Sequence, residues 1–267
     1  MGTLRRVTTL HVPFHQDERL SDRHLAVPAG PAETVEPALP DGTIWERLTA
    51  LHDAVAQRVA NDVRAGVVPT VVSGDCLVAL GTVAGVQRAG IDAGIVWFDA
   101  HGDVHTLETT TSGYLGGLSL RLILGAHPDL VADPLGLRPL TPDRALLVDA
   151  RDLDPAEAAY LSADGPARVS VDDLASPDRT REGADDLVLP DGPLVLHVDV
   201  DVVDAGELPG LLFPAPHGPS AAAVRKAVQR VLSTGRVVAV DVACPWHPAA
   251  SDEDAAIRAN LIANLLS

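Results

Sequence analysis

At five places in the chain, acidic residues, joined at several of them by a cysteine or histidine, follow a short apolar run. They are SGDC at 73–76, DAHGD at 99–103, DARDLD at 149–154, HVDVD at 197–201 and DVAC at 241–244. In an open parallel sheet, ligands collect at the carboxyl ends of the strands, so these are the positions where chemistry is expected. While the backbone stays extended, side chains alternate with period two. Asp99, His101 and Asp103 then share a face, as do Asp199 and Asp201. Four carboxylates converging at the dry edge of a core would be driven to take up protons by desolvation and mutual repulsion, and divalent cations are what keep them ionised. Oxygen-rich coordination with one imidazole favours Mn²⁺, with Fe²⁺, Co²⁺ or Zn²⁺ as competitors.

The elements that must position these residues are legible as a rhythm. Short β-branched runs at 7–12, 67–72, 94–98, 145–148, 194–198 and 237–242 predict buried strands. Between them, 43–64, 77–89, 155–162, 220–232 and 252–266 have helical spacing, several opening on Asp, Ser or Pro. This alternation predicts a parallel α/β sheet with helices on both faces. The stretches 26–42 and 177–192, rich in Pro and Ala or in Asp, Arg and Gly, are expected to be surface loops. Neither marks a second core, so residues 1–267 are expected to form one domain.

The formal net charge of −17 repels phosphate backbones and anionic membranes, which argues against nucleic-acid and membrane partners. Two cysteines, Cys76 and Cys244, cannot build a disulfide framework. The start MGTLRRVTTLHVPFHQDERL has no apolar core of signal-peptide length, and no run is long enough to span a bilayer. The expected compartment is the reducing cytoplasm.

DAHGD at 99–103 and HVDVDVVD at 197–204 resemble two signature motifs of the arginase/agmatinase (ureohydrolase) family, and SGDCL at 73–77 resembles its third. The run DAHGDVHTLETTTSGYLGG at 99–117 matches an arginase-like pattern without a gap. The resemblance implies a three-layer α/β/α fold around a mostly parallel sheet of about eight strands. It also implies a binuclear manganese site, with Cys76, Asp99, Asp103 and Asp199 holding one ion and Asp99, His101, Asp199 and Asp201 the other. The implied reaction is hydrolysis of a C–N bond of a guanidino or N-hydroxyguanidino amino acid, releasing urea or hydroxyurea. A homo-oligomer is compatible with it.

Where the sequence departs from the family, the expectations sharpen. Cys76 stands where the family has histidine, and a thiolate there adds negative charge that weakens the neighbouring ion as a Lewis acid. Within the family, this cysteine and the GYLGG stretch resemble the branch that hydrolyses N-ω-hydroxy-arginine. Gly116 replaces the histidine that shuttles a proton to the leaving nitrogen, which disfavours a strongly basic leaving amine unless His105 or Tyr114 substitutes. Asp103, His105 and Tyr114 are thus the catalytic candidates. Ser112 and Asp154 match positions that grip an α-amino acid head, and His105 stands for an asparagine at the carboxylate end. Cys244 replaces a glutamate that pairs with the guanidinium, so it is expected in the substrate pocket with that carboxylate gone. These losses keep a second reading open: a diverged homologue acting on another amide or imine, or serving as a metal-binding assembly protein. His197 shares a face with Asp199 and is either a hydrogen-bonded core residue or a partner of the ligands. His11, His24, His52 and His127 are expected at the surface or in loops, and His217 near the mouth.

Overall fold

Most of the long strands are apolar on both faces, which suits the interior of a parallel sheet covered by helices on either side. In the computed structural model, which describes residues 7–21, 23–25, 30–175 and 189–267, they do lie there. The strands are β1 (Val7–Val12), β2 (Phe14–His15), β3 (Glu18–Arg19), β4 (Ala32–Thr34), β5 (Val68–Ser73), β6 (Gly94–Asp99), β7 (Ala145–Asp149), β8 (Ala167–Val169), β9 (Leu194–Asp199) and β10 (Val237–Ala243). The helices are α1 (Ile44–Arg64), α2 (Ala79–Arg88), α3 (Ser119–Ile123), α4 (Ala132–Leu135), α5 (Pro155–Ala163), α6 (Val171–Ala175), α7 (Ala221–Ser233) and α8 (Asp252–Leu266).

Eight strands form one sheet in the order β4-β1-β5-β10-β9-β6-β7-β8, every pairing parallel. One face is covered by α1 to α5 through residues such as Leu48, Leu80, Leu120, Leu135 and Leu161. The other is covered by α6, α7 and α8 through Leu174, Val224 and Ile262. This is the expected three-layer arrangement. The alternation sorts each strand: Val195 joins the first core and Leu194, Leu196 and Val198 the second, so His197 and Asp199 point toward the α1–α5 side. A register shift between Val237 and Ala239 sets Asp241 beside His197, with Trp97 on the other flank.

The edge strands β4 and β8 were not read from the sequence. Each has three residues, AET and ARV, too short and too polar to stand out from a loop. β4 falls inside the expected 26–42 loop, of which 26–29 lie outside the described residues, as do 177–188 of the other loop. His52 is a correction: expected at the surface or in a loop, it is fully buried in α1. Helix α1 opens with a capping box, Thr43 accepting from Glu46 N at 3.3 Å and Glu46 accepting from Thr43 N at 2.7 Å. It packs on α2 at two glycines, where a Cβ at Gly81 would lie 2.9 Å from the His52 carbonyl oxygen and one at Gly85 2.7 Å from that of Ala56. Only glycine permits this approach.

Candidate metal centre

Three loops at the strand ends build the site. After β5 the chain turns into a 3₁₀ helix, Cys76–Val78, capped by Asp75, whose carboxylate accepts from Leu77 N at 2.7 Å. After β6 the extended backbone ends at Asp99, and Asp103 sits in the left-handed region at φ 53°. After β9 it enters another 3₁₀ turn, Val200–Val202, with Asp199 accepting from Asp201 N at 2.8 Å. The convergence of the acids therefore comes from turns rather than from continued strand alternation. The β7 end locks the arrangement. Ala150 N donates to Asp99 O and Asp152 N to Ala100 O, both at 2.9 Å. Arg151 pairs with Asp149 and donates to the carbonyls of Val202, Asp201 and Ala215.

Asp99, Asp103, Asp199 and Asp201 are all buried. Cys76 Sγ is 2.9 Å from Asp199 Oδ2 and 4.0 Å from Asp99 Oδ2. His101 Nδ1 lies 3.3 Å from Asp99 Oδ1 and 3.1 Å from Asp201 Oδ2. Burial, reinforced by the neighbouring acids, pushes Asp103 and Asp199 well above the usual carboxylate range and Asp201 up to about 6. Burial also lifts the Cys76 thiol, with Asp199 adding to it. Burial opposes a charge on His101, yet its bonds to Asp201 and Asp99 outweigh that and push it up to about 12. The cluster is thus short of positive charge, and one histidine is recruited to supply it. The Asp103 Oδ2 is buried with no hydrogen-bond partner among the described residues. A buried carboxylate oxygen without a donor, among three further acids, fits a divalent cation.

These residues line one cavity of about 230 Å³, together with His105, Ser112, Tyr114, Gly116, Asp154 and others. His105 Nε2 is 3.0 Å from Asp154 Oδ2 and 3.7 Å from Glu157 Oε2. Ser112 is exposed at the rim. Tyr114 donates to Asp75 Oδ2 at 3.3 Å and packs on Phe213 with ring centres 4.6 Å apart. Its ring fills the room above Gly116: a Cβ there would fall 2.3 Å from the Tyr114 Cζ. Cys244 is not part of this lining. It is buried and borders a second cavity with His15, His24 and Trp246. Two lining or supporting groups escaped the sequence reading. Glu157 accepts from Val104 N at 3.3 Å while closing the cap of α5; its only signal, an acid three residues after Asp154, reads as a helix start. Trp97 donates to Asp99 Oδ2 at 3.0 Å, but in sequence it is one more apolar strand residue.

Fold and site together define a parallel α/β protein with a carboxylate-rich cluster, a candidate cation site, at its strand ends. The chain belongs to the Arginase family, whose model matches residues 13–267. It is similar to the arginase of Eremothecium gossypii, 34% identical over 74% of this chain and 50% of that protein. It is also similar to the N(omega)-hydroxy-L-arginine amidinohydrolase of Streptomyces lavendulae, 32% identical over 78% of this chain and 70% of that one. The alignments cover only part of the first relatives, 50% of the Eremothecium protein and 65% of the arginase of Bacillus subtilis. The fold is that of the arginase from Bacillus cereus, with a TM-score of 0.78 over 98% of this chain and 99% of that chain at 22% identity. Among the described residues, no helix is long and apolar enough to cross a membrane.

Proposed function

We propose that the chain is a binuclear, manganese-dependent hydrolase that cleaves a C–N bond of an amino acid bearing a guanidino or N-hydroxyguanidino group. The observation that carries this reading is one cavity joining the Cys76, Asp99, His101, Asp103, Asp199 and Asp201 cluster to the polar rim at His105, Ser112 and Asp154. In this reading Asp99 and Asp199 would be shared between the ions, Cys76 and Asp103 would complete the holding of one, and His101 and Asp201 that of the other. Divalent ions held there lower the pKa of water and supply a nucleophile near neutral pH.

The chain's own residues do the rest. Once a bound cation keeps it ionised, the Asp103 carboxylate would offer its second oxygen to accept a hydrogen bond from the attacking water. Asp154 offers a carboxylate to an α-ammonium group and Ser112 a hydroxyl donor to an α-carboxylate. His105, bonded through Nε2 to Asp154 and through Nδ1 to Thr109, would reach that carboxylate only by exchanging one of these partners for it. Tyr114 is held neutral, because burial, with the Asp75 charge adding to it, pushes its hydroxyl well above the usual phenol range. It therefore serves as a hydrogen-bond donor rather than as a mobile acid. With Gly116 offering no side chain and Cys244 bordering the second cavity, the leaving alkyl amine receives little acid help. This favours a less basic guanidine, such as an N-hydroxylated one, whose hydroxyl stays with the carbon in hydroxyurea while the amine departs.

The test is urea and hydroxyurea release by the Mn²⁺-loaded protein from arginine and from N-ω-hydroxy-arginine, with Asp154→Ala as a control. The hydroxylated compound is expected to show the higher kcat/KM, and Asp154→Ala to weaken both. Equal turnover would refute the leaving-group argument. No product from either, with the metal site full, would replace the hydrolase with a diverged metal-binding homologue.

A further inference from the structure

His197 has no assigned part in the arrangement above, yet it is fully buried directly beneath the acids. One of its ring nitrogens, the Cys76 Sγ and an Asp99 carboxylate oxygen lie within 4.8 Å of one another. Its Nδ1 is 2.9 Å from Asp241 Oδ1, and Asp241 accepts at its other oxygen from Thr82 Oγ1 at 2.6 Å. A carboxylate only accepts, so the proton of a neutral imidazole sits on Nδ1 and the lone pair on Nε2. That Nε2 is buried with no hydrogen-bond partner among the described residues. Trp97 stacks on the ring with centres 3.6 Å apart and donates from Nε1 to Asp99, so one indole fixes both groups.

A histidine held by a carboxylate through one nitrogen, its other nitrogen bare and its ring beside acid and thiol donors, has the relay found behind metal-bound imidazoles. We propose that His197 Nε2 is a metal ligand that joins Cys76 and Asp99 at one of the two ions, with Asp241 and Thr82 as its positioning residues. The inference rests on the reading of the cluster as a metal centre. Sulfur and imidazole together are softer than an all-carboxylate set. That position is therefore the softer of the two and the one at which Zn²⁺ or Co²⁺ competes best with Mn²⁺, while the His101, Asp201 side keeps the harder donors.

The experiment uses the full chain, titrated with Zn²⁺ and Co²⁺ and followed by metal analysis, calorimetry and histidine ¹⁵N spectra. Zn²⁺ loading of the unaltered protein is expected to move the His197 Nε2 resonance away from its free-imidazole position; that readout needs no variant and no activity. His197→Gln is expected to weaken one of the two binding events, and to do so more than Asp241→Asn, whose loss should fall in the ~10–100-fold range of an outer partner. A Cys76 thiolate bound to Co²⁺ should give a near-ultraviolet charge-transfer band, and in Asp241→Asn that band should persist with altered position. Two ions bound with an unmoved Nε2 resonance would overturn the role of His197 and leave the metal centre standing. No tight binding of any divalent ion by the unaltered protein would overturn both. A loaded Zn²⁺ affinity unchanged in a folded His197→Gln protein would likewise refute the ligand.

Discussion

Replacing Gly116 by alanine should expel the Tyr114 ring from the cavity. The added Cβ would lie 2.3 Å from Cζ, 2.4 Å from Cε1 and 2.4 Å from the hydroxyl oxygen, far inside van der Waals contact. The ring must leave, because Gly116 is anchored in the 3₁₀ turn Gly116–Leu118, where its carbonyl accepts from Ser119 Oγ at 2.7 Å. Leaving forfeits the hydroxyl bond to Asp75 and the tilted pair with Phe213, together ~1–3 kcal/mol. The alanine itself gives back ~0.5–1 kcal/mol by stiffening the unfolded chain. A net loss of ~1–2 kcal/mol is expected in urea unfolding. The decisive form is a double-mutant cycle with Tyr114→Ala, in which Gly116→Ala should become neutral or mildly stabilising, giving a coupling of ~1–3 kcal/mol. Equal costs of Gly116→Ala in the two backgrounds would show that Tyr114 does not occupy that space.

Gly85→Ala should destabilise by ~1–3 kcal/mol or more in thermal melts, because its Cβ would meet the Ala56 carbonyl oxygen and the Val59 Cβ at 2.7 Å and neither can move freely. Metal loading at pH 7 should release protons, since His101, pushed up to about 12, holds a proton that the ion displaces. Calorimetry in buffers of different ionisation enthalpy measures the number, and none released would contradict the charge balance of the site. Burial pulls His52 down to about 3, so between about 6.5 and about 3 the unfolded chain binds the proton more readily. That stability is complete above pH 6.5 and is lost as pH falls, at up to ~1.4 kcal/mol per unit. His52→Leu should therefore flatten the acid limb of the urea midpoint against pH.

The sheet was legible because its six long strands carry a signal that survives without context: apolar runs bounded by polar turns. β4 and β8 were not, since three-residue edge strands are specified by the neighbour they pair with, here β1 and β7, and not by their own residues. The acids showed themselves by type and spacing, although the reason given for their convergence, strand alternation, gave way to 3₁₀ turns and a left-handed Asp103. His52 was misread for a different reason. It sits on the helix face that packs against the α2 glycines, and a lone histidine in an amphipathic pattern carries no mark of its burial.

The cavity's departures act together through volume and charge rather than one by one. Tyr114 fits only because position 116 is glycine, and its ring stacks on His15 with centres 5.5 Å apart, at the border of the second cavity where Cys244 lies. Its hydroxyl binds Asp75, a buried carboxylate that also accepts from Gln16 N at 3.0 Å. A residue at 116 able to carry a proton would displace this ring and leave Asp75 without that donor. A glutamate at 244 would add a further buried acid a short way behind Asp199, whose charge already helps lift the Cys244 thiol after burial itself. Restoring either family residue alone therefore meets a local penalty, steric at 116 and electrostatic at 244. Gly116→His should consequently recover no proton-shuttle activity by itself, and should do so only with Tyr114→Ala, the pair that frees the space. Faster arginine hydrolysis from Gly116→His alone, at unchanged stability, would show the two positions to be independent.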